Sequence, residues 1–419
     1  MKQLRRTLTA IDNRSARSPC WPDRGSIFGK GSSDSNLGGE DVAVAKFDCV
    51  IVGAGPAGSS AAYHLSRRGI TVLLLDQATF PRNKPCTGAV SPRIAEWFDF
   101  DFAPALETTE RRIRYTWKLG DEVAAELKTQ EPIWLVKRDK FDQFLVEQAI
   151  AQGTTFQDGT AVTGLTFTAG QWQIQTPAET FHSDYLVAAD GGQGPIAGWL
   201  GLKQPSPRAA AMYTLSAPLP TDYSALNFEF GLLKNGCLWC FPQTQGTVMG
   251  ALSLVGNEPA DFETTFAAYT AGLMGPDFPG ECHSCPVQLW DGHYPRHTQQ
   301  AVVVGEAAAI VDPLSAEGIR HGLYSGMKGA EAIASALAGN AAALAGYTDA
   351  MTAWGNNMQW AQRIAGVFFR VPGIGYRVGI KRPTMTKRMG QLLTGEIQYS
   401  DIANRVIKRL TTGFLPGRS

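Results

Sequence analysis

Apolar positions along this chain recur with two periods. The short unbroken runs at residues 49–52 and 72–75 have the length and β-branching of strands buried on both faces, with a helix predicted between them. Residues 185–189 and 301–304 read as further strands, each entering a glycine turn. Phe141, Leu145 and Ala149 share one face of a helix that begins near Val136, and a long helix is predicted from about Ile319 to Leu337. From about Arg208 to Trp290 polar and apolar residues alternate, as in Leu226-Asn-Phe-Glu-Phe, which predicts an antiparallel sheet. Residues 341–346 and 347–364 continue as helices. No apolar run reaches the roughly 18 residues of a membrane span, and there is no internal repeat.

The first strand runs into Gly53-Ala-Gly-Pro-Ala-Gly. Gly53 permits the tight turn, Gly55 lets backbone approach a pyrophosphate, and Gly58 lets the helix lie close to the strand. With Pro56 and Ala57 these residues form a positive helix end whose free N–H groups face phosphates. Asp76, 18 positions after Gly58, ends the second strand and is placed to accept hydrogen bonds from a ribose. A chain with 45 glycines produces some such spacings by chance, so the weight lies in the context of strand, helix, second strand and terminal acid. An acid at position 76 favours a free 2′-hydroxyl, hence FAD or NAD. No second fingerprint of this kind occurs, which disfavours a two-Rossmann disulfide reductase.

Length predicts two intimately joined domains, and zero formal net charge argues against nucleic acid as a main partner. The charge is uneven: residues 361–419 carry eleven Lys or Arg against Glu396 and Asp401. This basic C-terminal region suits an anionic membrane surface or an acidic partner, or a helical cap on the more acidic body. Residues 1–45 lack an apolar signal core; they read as a disordered leader, with a transit segment or an overextended start as alternatives. Seven cysteines, an odd number, without an export signal indicate a reducing compartment and a cytoplasmic placement, peripheral to a membrane at most. The Cys237/Cys240 and Cys282/Cys285 pairs mimic a zinc ribbon, but i and i+3 on a strand point to opposite faces, so no metal site is expected.

After the second strand, Phe80-Pro-Arg-Asn-Lys-Pro-Cys-Thr-Gly forms a loop at the carboxyl ends of the strands, where ligands sit. Together with Arg138-Asp-Lys-Phe-Asp, Ala189-Asp-Gly-Gly and Val304-Gly-Glu-Ala-Ala-Ala-Ile-Val-Asp-Pro-Leu-Ser-Ala-Glu-Gly-Ile, it resembles the geranylgeranyl reductase family of FAD-dependent oxidoreductases, among the p-hydroxybenzoate hydroxylase-like flavoproteins. The resemblance implies an α/β fold, α+β overall. It has a Rossmann-like FAD-binding domain (46–90, 135–205 and 295–350), an inserted antiparallel-sheet substrate domain (91–134 and 206–294) and a basic helical C-terminal region (351–419). It implies that Arg82, Cys86 and Gly88 lie with the cofactor, that Arg138 lies near its ribityl and pyrophosphate groups, and that Asp190 and Gly191 lie near the adenine half. Gly305, Glu306, Asp312, Gly318 and Ile319 then follow the ribityl chain to the ring, with a helix end against flavin N1 and O2. The family has Asp where this chain has Glu306. Trp239 and Phe241 match the reductases' Tyr-x-Trp-x-Phe-Pro-Lys segment as substrate walls, with Cys237 and Gln243 as departures.

The reading that follows is an FAD-dependent reductase of carbon-carbon double bonds in an isoprenoid, geranylgeranyl-type chain, with NAD(P)H or an electron carrier as transient reductant and Cys86 as candidate proton donor. The runners-up are a flavin monooxygenase or halogenase on an aromatic or quinone-like substrate, a lycopene-cyclase-like enzyme, and a regulatory flavin-binding protein. Oligomeric state is open.

Overall fold

The two N-terminal apolar runs become neighbouring parallel strands, β1 (Lys46–Val52) and β2 (Val72–Leu75), joined through helix α1 (Pro56–Ser66). The computed structural model describes residues 46–412 except 216, 221–222, 245, 257–259 and 276–279, with side chains at 378, 383 and 406–412 also outside the description. The expected leader 1–45 lies outside the described residues.

On its other edge β1 pairs in parallel with Thr180–Ala188, which pairs in parallel with Ala301–Val303, while β2 pairs in parallel with Thr155–Gln157. The register brings Leu75, Val52, Ala188 and Val303 level, so four chains leave the sheet side by side as Asp76, Gly53, Ala189 and Val304. Hydrogen bonds from Gly53 N to Leu75 O (2.7 Å), Ala189 N to Val52 O (2.8 Å) and Val304 N to Ala188 O (2.9 Å) continue the ladder by one step beyond the strands. The carboxyl edge of a parallel sheet is the position where an open α/β sheet receives its ligand.

Helix Ile319–Leu337 crosses α1 at backbone contact. A Cβ at Gly326 would stand 2.1 Å from Ala57 O, and one at Gly305 (φ +64°) would stand 2.7 Å from Ala57 Cβ. Ser60 Oγ donates to Leu323 O at 2.7 Å and Ser325 Oγ accepts from Gly305 N at 2.8 Å. Small residues here let the first and last parts of the nucleotide fold meet.

A second sheet has seven strands, in the spatial order Glu281–Ser284, Ala210–Leu215, Thr247–Ser253, Gly236–Pro242, Leu226–Phe230, Arg112–Trp117, Gly120–Glu126. It departs from the expected all-antiparallel sheet at one pair: Leu226–Phe230 runs parallel to Arg112–Trp117 because the chain reaches it from a distant segment rather than by a hairpin. Ala89–Val90, Thr108–Glu110 and Ile133–Leu135 form a small third sheet. On Gly236–Pro242 alternation puts Cys237 in a different apolar cluster from Cys240. Burial raises both thiols, Cys237 to about 12. Neither is poised as a thiolate ligand.

The C-terminal region packs on this second sheet and on the segment that follows Ala89–Val90. Tyr376 Oη donates to Asp121 O at 2.5 Å, Ser91 Oγ donates to Thr394 O at 2.6 Å, and Arg93 Nη1 donates to Gly395 O at 3.0 Å. Among the described residues, no helix is long and apolar enough to cross a membrane.

Candidate functional site

At the nucleotide end, the conformations of Gly53 and Gly58 depend on the missing side chains. Gly53 has φ +103°, with a would-be Cβ 2.3 Å from Ala189 O; at Gly58 it would be 1.8 Å from Gly53 O. No side chain caps α1 at Gly55, and its first turn has no acid. The donor set therefore fits a diphosphate, with Arg82 Nη2 3.6 Å from where a Gly55 Cβ would stand. Asp76 is 7 % exposed and accepts from Ala54 N (2.8 Å) and Ala78 N (2.9 Å), which locks it to the glycine turn.

Arg82 leads to a group that the sequence reading missed. Its Nη1 lies 3.0 Å from Asp142 Oδ2 and its Nε 3.7 Å from Asp76 Oδ2. Asp142, fully buried, holds Arg138 in a bidentate pair at 2.8 and 2.7 Å. Burial works against the Arg138 charge, but the Asp142 carboxylate outweighs it and pushes the guanidinium pKa up. Arg138 is thus not a surface cation; it also lies against the Cys86 thiol. The sequence signal for Asp142 was its i, i+4 spacing from Arg138 on α2 (Arg138–Ala151).

The Pro-Cys loop is fixed at both ends. Gly88 has φ +76° and its would-be Cβ lies 1.9 Å from Val136 O, so only glycine fits. Cys86 Sγ accepts from Gly88 N at 3.3 Å. Thr87 Oγ1 accepts from Trp239 Nε1 at 2.9 Å, which ties this loop to the second sheet. Trp239 is half-buried and lies on Gly250, where a Cβ would come within 2.5 Å of the indole. Phe241 is 5 % exposed and edge-on to Phe228, with ring centroids 5.4 Å apart, so it backs the wall from within the core.

Around the third turn, Asp190 Oδ2 accepts from Ile196 N at 2.9 Å, while its buried Oδ1 has no protein partner. Burial raises the Asp190 pKa. Gly191 (φ +79°) lies under Lys84, whose Nζ is 3.6 Å from the would-be Cβ. Glu306 turns toward this same place: its Oε1 accepts from Gln288 N at 3.2 Å and its Oε2 lies 3.9 Å from Lys84 Nζ. The longer acid therefore has protein partners of its own here and keeps lone pairs free on the carboxylate.

Asp312 also points inward. It is 1 % exposed; its Oδ1 accepts from Leu314 N (2.8 Å) and Ser315 N (2.9 Å), and Tyr399 bonds to it. These bonds shape the loop ahead of Gly318. Beyond it, Gly318 begins helix Ile319–Leu337 with no side-chain cap and no acid in the first turn, leaving the N–H groups of Ile319 and its neighbours as a positive end. Glu317 Oε2 pairs with Arg320 Nη2 at 2.7 Å, and burial raises the Glu317 pKa. A cavity of about 450 Å³ is lined by Leu254, Trp290, Pro313, Gly366 and the polar Asp291 and Arg370.

Residues 46–224 match the family model described as an FAD binding domain. An uncharacterized protein of Methanosarcina barkeri is 30 % identical over 302 residues, covering 71 % of this chain and 76 % of its own. A menaquinone reductase of Mycolicibacterium smegmatis is 28 % identical, covering 83 % and 92 %, and a digeranylgeranylglycerophospholipid reductase of Methanococcus vannielii is 26 % identical, covering 70 % and 77 %. The chain belongs to the geranylgeranyl reductase family. It is an FAD-dependent oxidoreductase. Among solved structures, a geranylgeranyl bacteriochlorophyll reductase-like protein of Thermoplasma acidophilum superposes with a TM-score of 0.67 at 18 % identity, covering 83 % of this chain and 91 % of that one. A flavin-dependent brominase gives 0.65 at 19 %, covering 88 % and 100 %. At such identities these two likenesses show the shared fold alone.

Proposed function

We propose that this family member saturates carbon-carbon double bonds of an isoprenoid chain. The observation that carries the reading is the hydrogen bond between Trp239 and Thr87, which closes an aromatic sheet face over the loop that bears Cys86. Facing them, Val311, Leu314 and Ala316 of the Asp312 loop join the same apolar cluster as Phe228 and Trp239. An apolar, aromatic enclosure of this kind suits a long hydrocarbon. Relatives named digeranylgeranylglycerophospholipid reductase and geranylgeranyl diphosphate reductase support the substrate class.

In this reading Gly53, Gly55 and Gly58 with Arg82 hold the diphosphate of FAD, Asp76 and Asp190 its adenosine half, and the Ile319 helix end the pyrimidine edge of its ring. FAD in its reduced form supplies the hydride. The uncapped helix end would favour negative charge on a bound group facing it by roughly 0.3–2 kcal/mol. Cys86 accepts from Gly88 N and lies against Arg138, so its own S–H is committed to neither and is available to protonate the second alkene carbon. Lacking a second dinucleotide fingerprint, the chain takes its electrons from NAD(P)H bound transiently or from a carrier.

The test is an anaerobic turnover. The flavin of purified protein is reduced with dithionite, then geranylgeranyl diphosphate or a geranylgeranylated lipid is added. Reoxidation with product mass raised in steps of two hydrogens is expected. Productive reoxidation only by oxygen with an aromatic acceptor would establish a monooxygenase or halogenase instead, and an isomer of unchanged mass a cyclase.

A further inference from the structure

Three of the large apolar side chains most exposed among the described residues lie within eight positions: Val367 (71 %), Val371 (47 %) and Ile374 (63 %). They follow one another over the last turn of helix Ala343–Phe368, the short link after it and helix Pro372–Gly375. The edge is held from beneath. Phe369 is buried, Phe368 packs edge-on against Phe230 at 5.5 Å, and Tyr376 is fastened to the backbone of Tyr115 and Asp121. With these aromatics anchored inward, the three aliphatic side chains are left in solvent.

The surroundings are basic. Arg363, Arg370, Arg377 and Arg382 are all exposed, Lys381 is paired with Asp121, and Arg363 stacks on the half-buried Trp360 at 4.8 Å. From residue 361 onward the chain offers only Glu396 and Asp401 as acids. A ring of like charge around a small apolar tip repels a second copy meeting it face to face. It complements a surface that is anionic outside and hydrocarbon within. The same turns also border the cavity, since Ala365, Gly366 and Arg370 line it together with Pro313.

We propose that the edge formed by Val367, Val371 and Ile374 docks on the surface of an anionic lipid bilayer, with Arg363, Arg370 and Arg377 at the headgroups, and brings the cavity lined by Ala365, Gly366 and Arg370 close to the membrane. The cavity's use as a substrate route rests on the isoprenoid reading; docking itself does not, and is measured without substrate.

The purified full chain with FAD bound is sedimented with phosphatidylcholine vesicles made with and without phosphatidylglycerol. Binding to the anionic vesicles, weakened by added salt, is expected. V367D/V371D/I374D should weaken it by tenfold or more, and R363E/R377E by about fivefold per arginine. Flavin absorbance and melting temperature should stay those of the wild type, because the substituted side chains are exposed. Absence of wild-type binding, or equal binding by the apolar triple variant, would overturn the proposal. So would a concentration-dependent dimer in vesicle-free solution that the triple variant abolishes, which would assign the edge to a second copy of the chain.

Discussion

Trp239 donates its indole N–H to Thr87 Oγ1 at 2.9 Å, a contact between residues 152 positions apart that closes the aromatic sheet over the Pro-Cys loop. A neutral hydrogen bond contributes about 1 kcal/mol net. Trp239→Phe and Thr87→Val should each lower kcat/KM for a long isoprenoid by about fivefold with FAD retained, and the double variant should be little worse than either. Additive losses in that cycle would show that the two side chains act separately.

Asp142 neutralises two guanidiniums at once, Arg138 at 2.7 Å and Arg82 at 3.0 Å. Asp142→Asn keeps the volume and removes the charge. Both cations are then left poorly compensated, Arg138 in a site that is only 9 % exposed. Breaking a buried pair this way costs about 3–5 kcal/mol. Denaturant unfolding should show the loss, accompanied by weaker FAD retention on gel filtration; an unchanged midpoint would mean that water reaches the pair.

Two helical glycines offer a matched contrast. A Cβ at Gly326 would sit 2.1 Å from Ala57 O, whereas one at Gly346 meets nothing within 4 Å. Gly326→Ala must drive α1 away from helix Ile319–Leu337 and with it the Gly53 turn, a cost of about 1–3 kcal/mol or more, with loss of bound FAD. Gly346→Ala should instead stabilise by about 0.5–1 kcal/mol through helix propensity. Thermal melts of the two variants settle both signs.

The nucleotide half was legible because its information is local. The Gly53 turn, Asp76 and the helix Ile319–Leu337 follow from spacing within single segments, and the strand ends then meet by register. What was not legible depends on contacts between segments. Asp142 gains its role only when Arg82 folds back from a different loop, and Glu306 meets Gln288 and Lys84, which no periodicity relates to it. The parallel pairing of Leu226–Phe230 with Arg112–Trp117 was hidden for the same reason, since alternation reports which face a residue takes and not which strand lies beside it.

Two buried histidines contribute to the acid side of the stability profile. Burial lowers the His64 pKa to about 4, with Arg68 and Arg67 acting in the same sense. His321, 2 % exposed and accepting from Trp354 Nε1 at 3.0 Å, is lowered well below its ordinary value, chiefly by burial. In the unfolded chain both titrate near pH ~6.5, so between that pH and the folded value the unfolded state binds more protons. Their contribution is complete above pH ~6.5 and is lost as pH falls; for His64 the loss by pH 4 is on the order of 3 kcal/mol. Asp190 and Glu317, raised by burial, act with the opposite sign in the carboxylate range. A difference measurement is therefore needed. His64 packs against Tyr63 and Phe98, each with ring centroids 5.1 Å away, so His64→Phe preserves the aromatic contact while removing the titration. Unfolding free energies measured between pH 7 and pH 5 should fall less steeply in this variant than in the wild type; parallel profiles would show that His64 does not carry the effect.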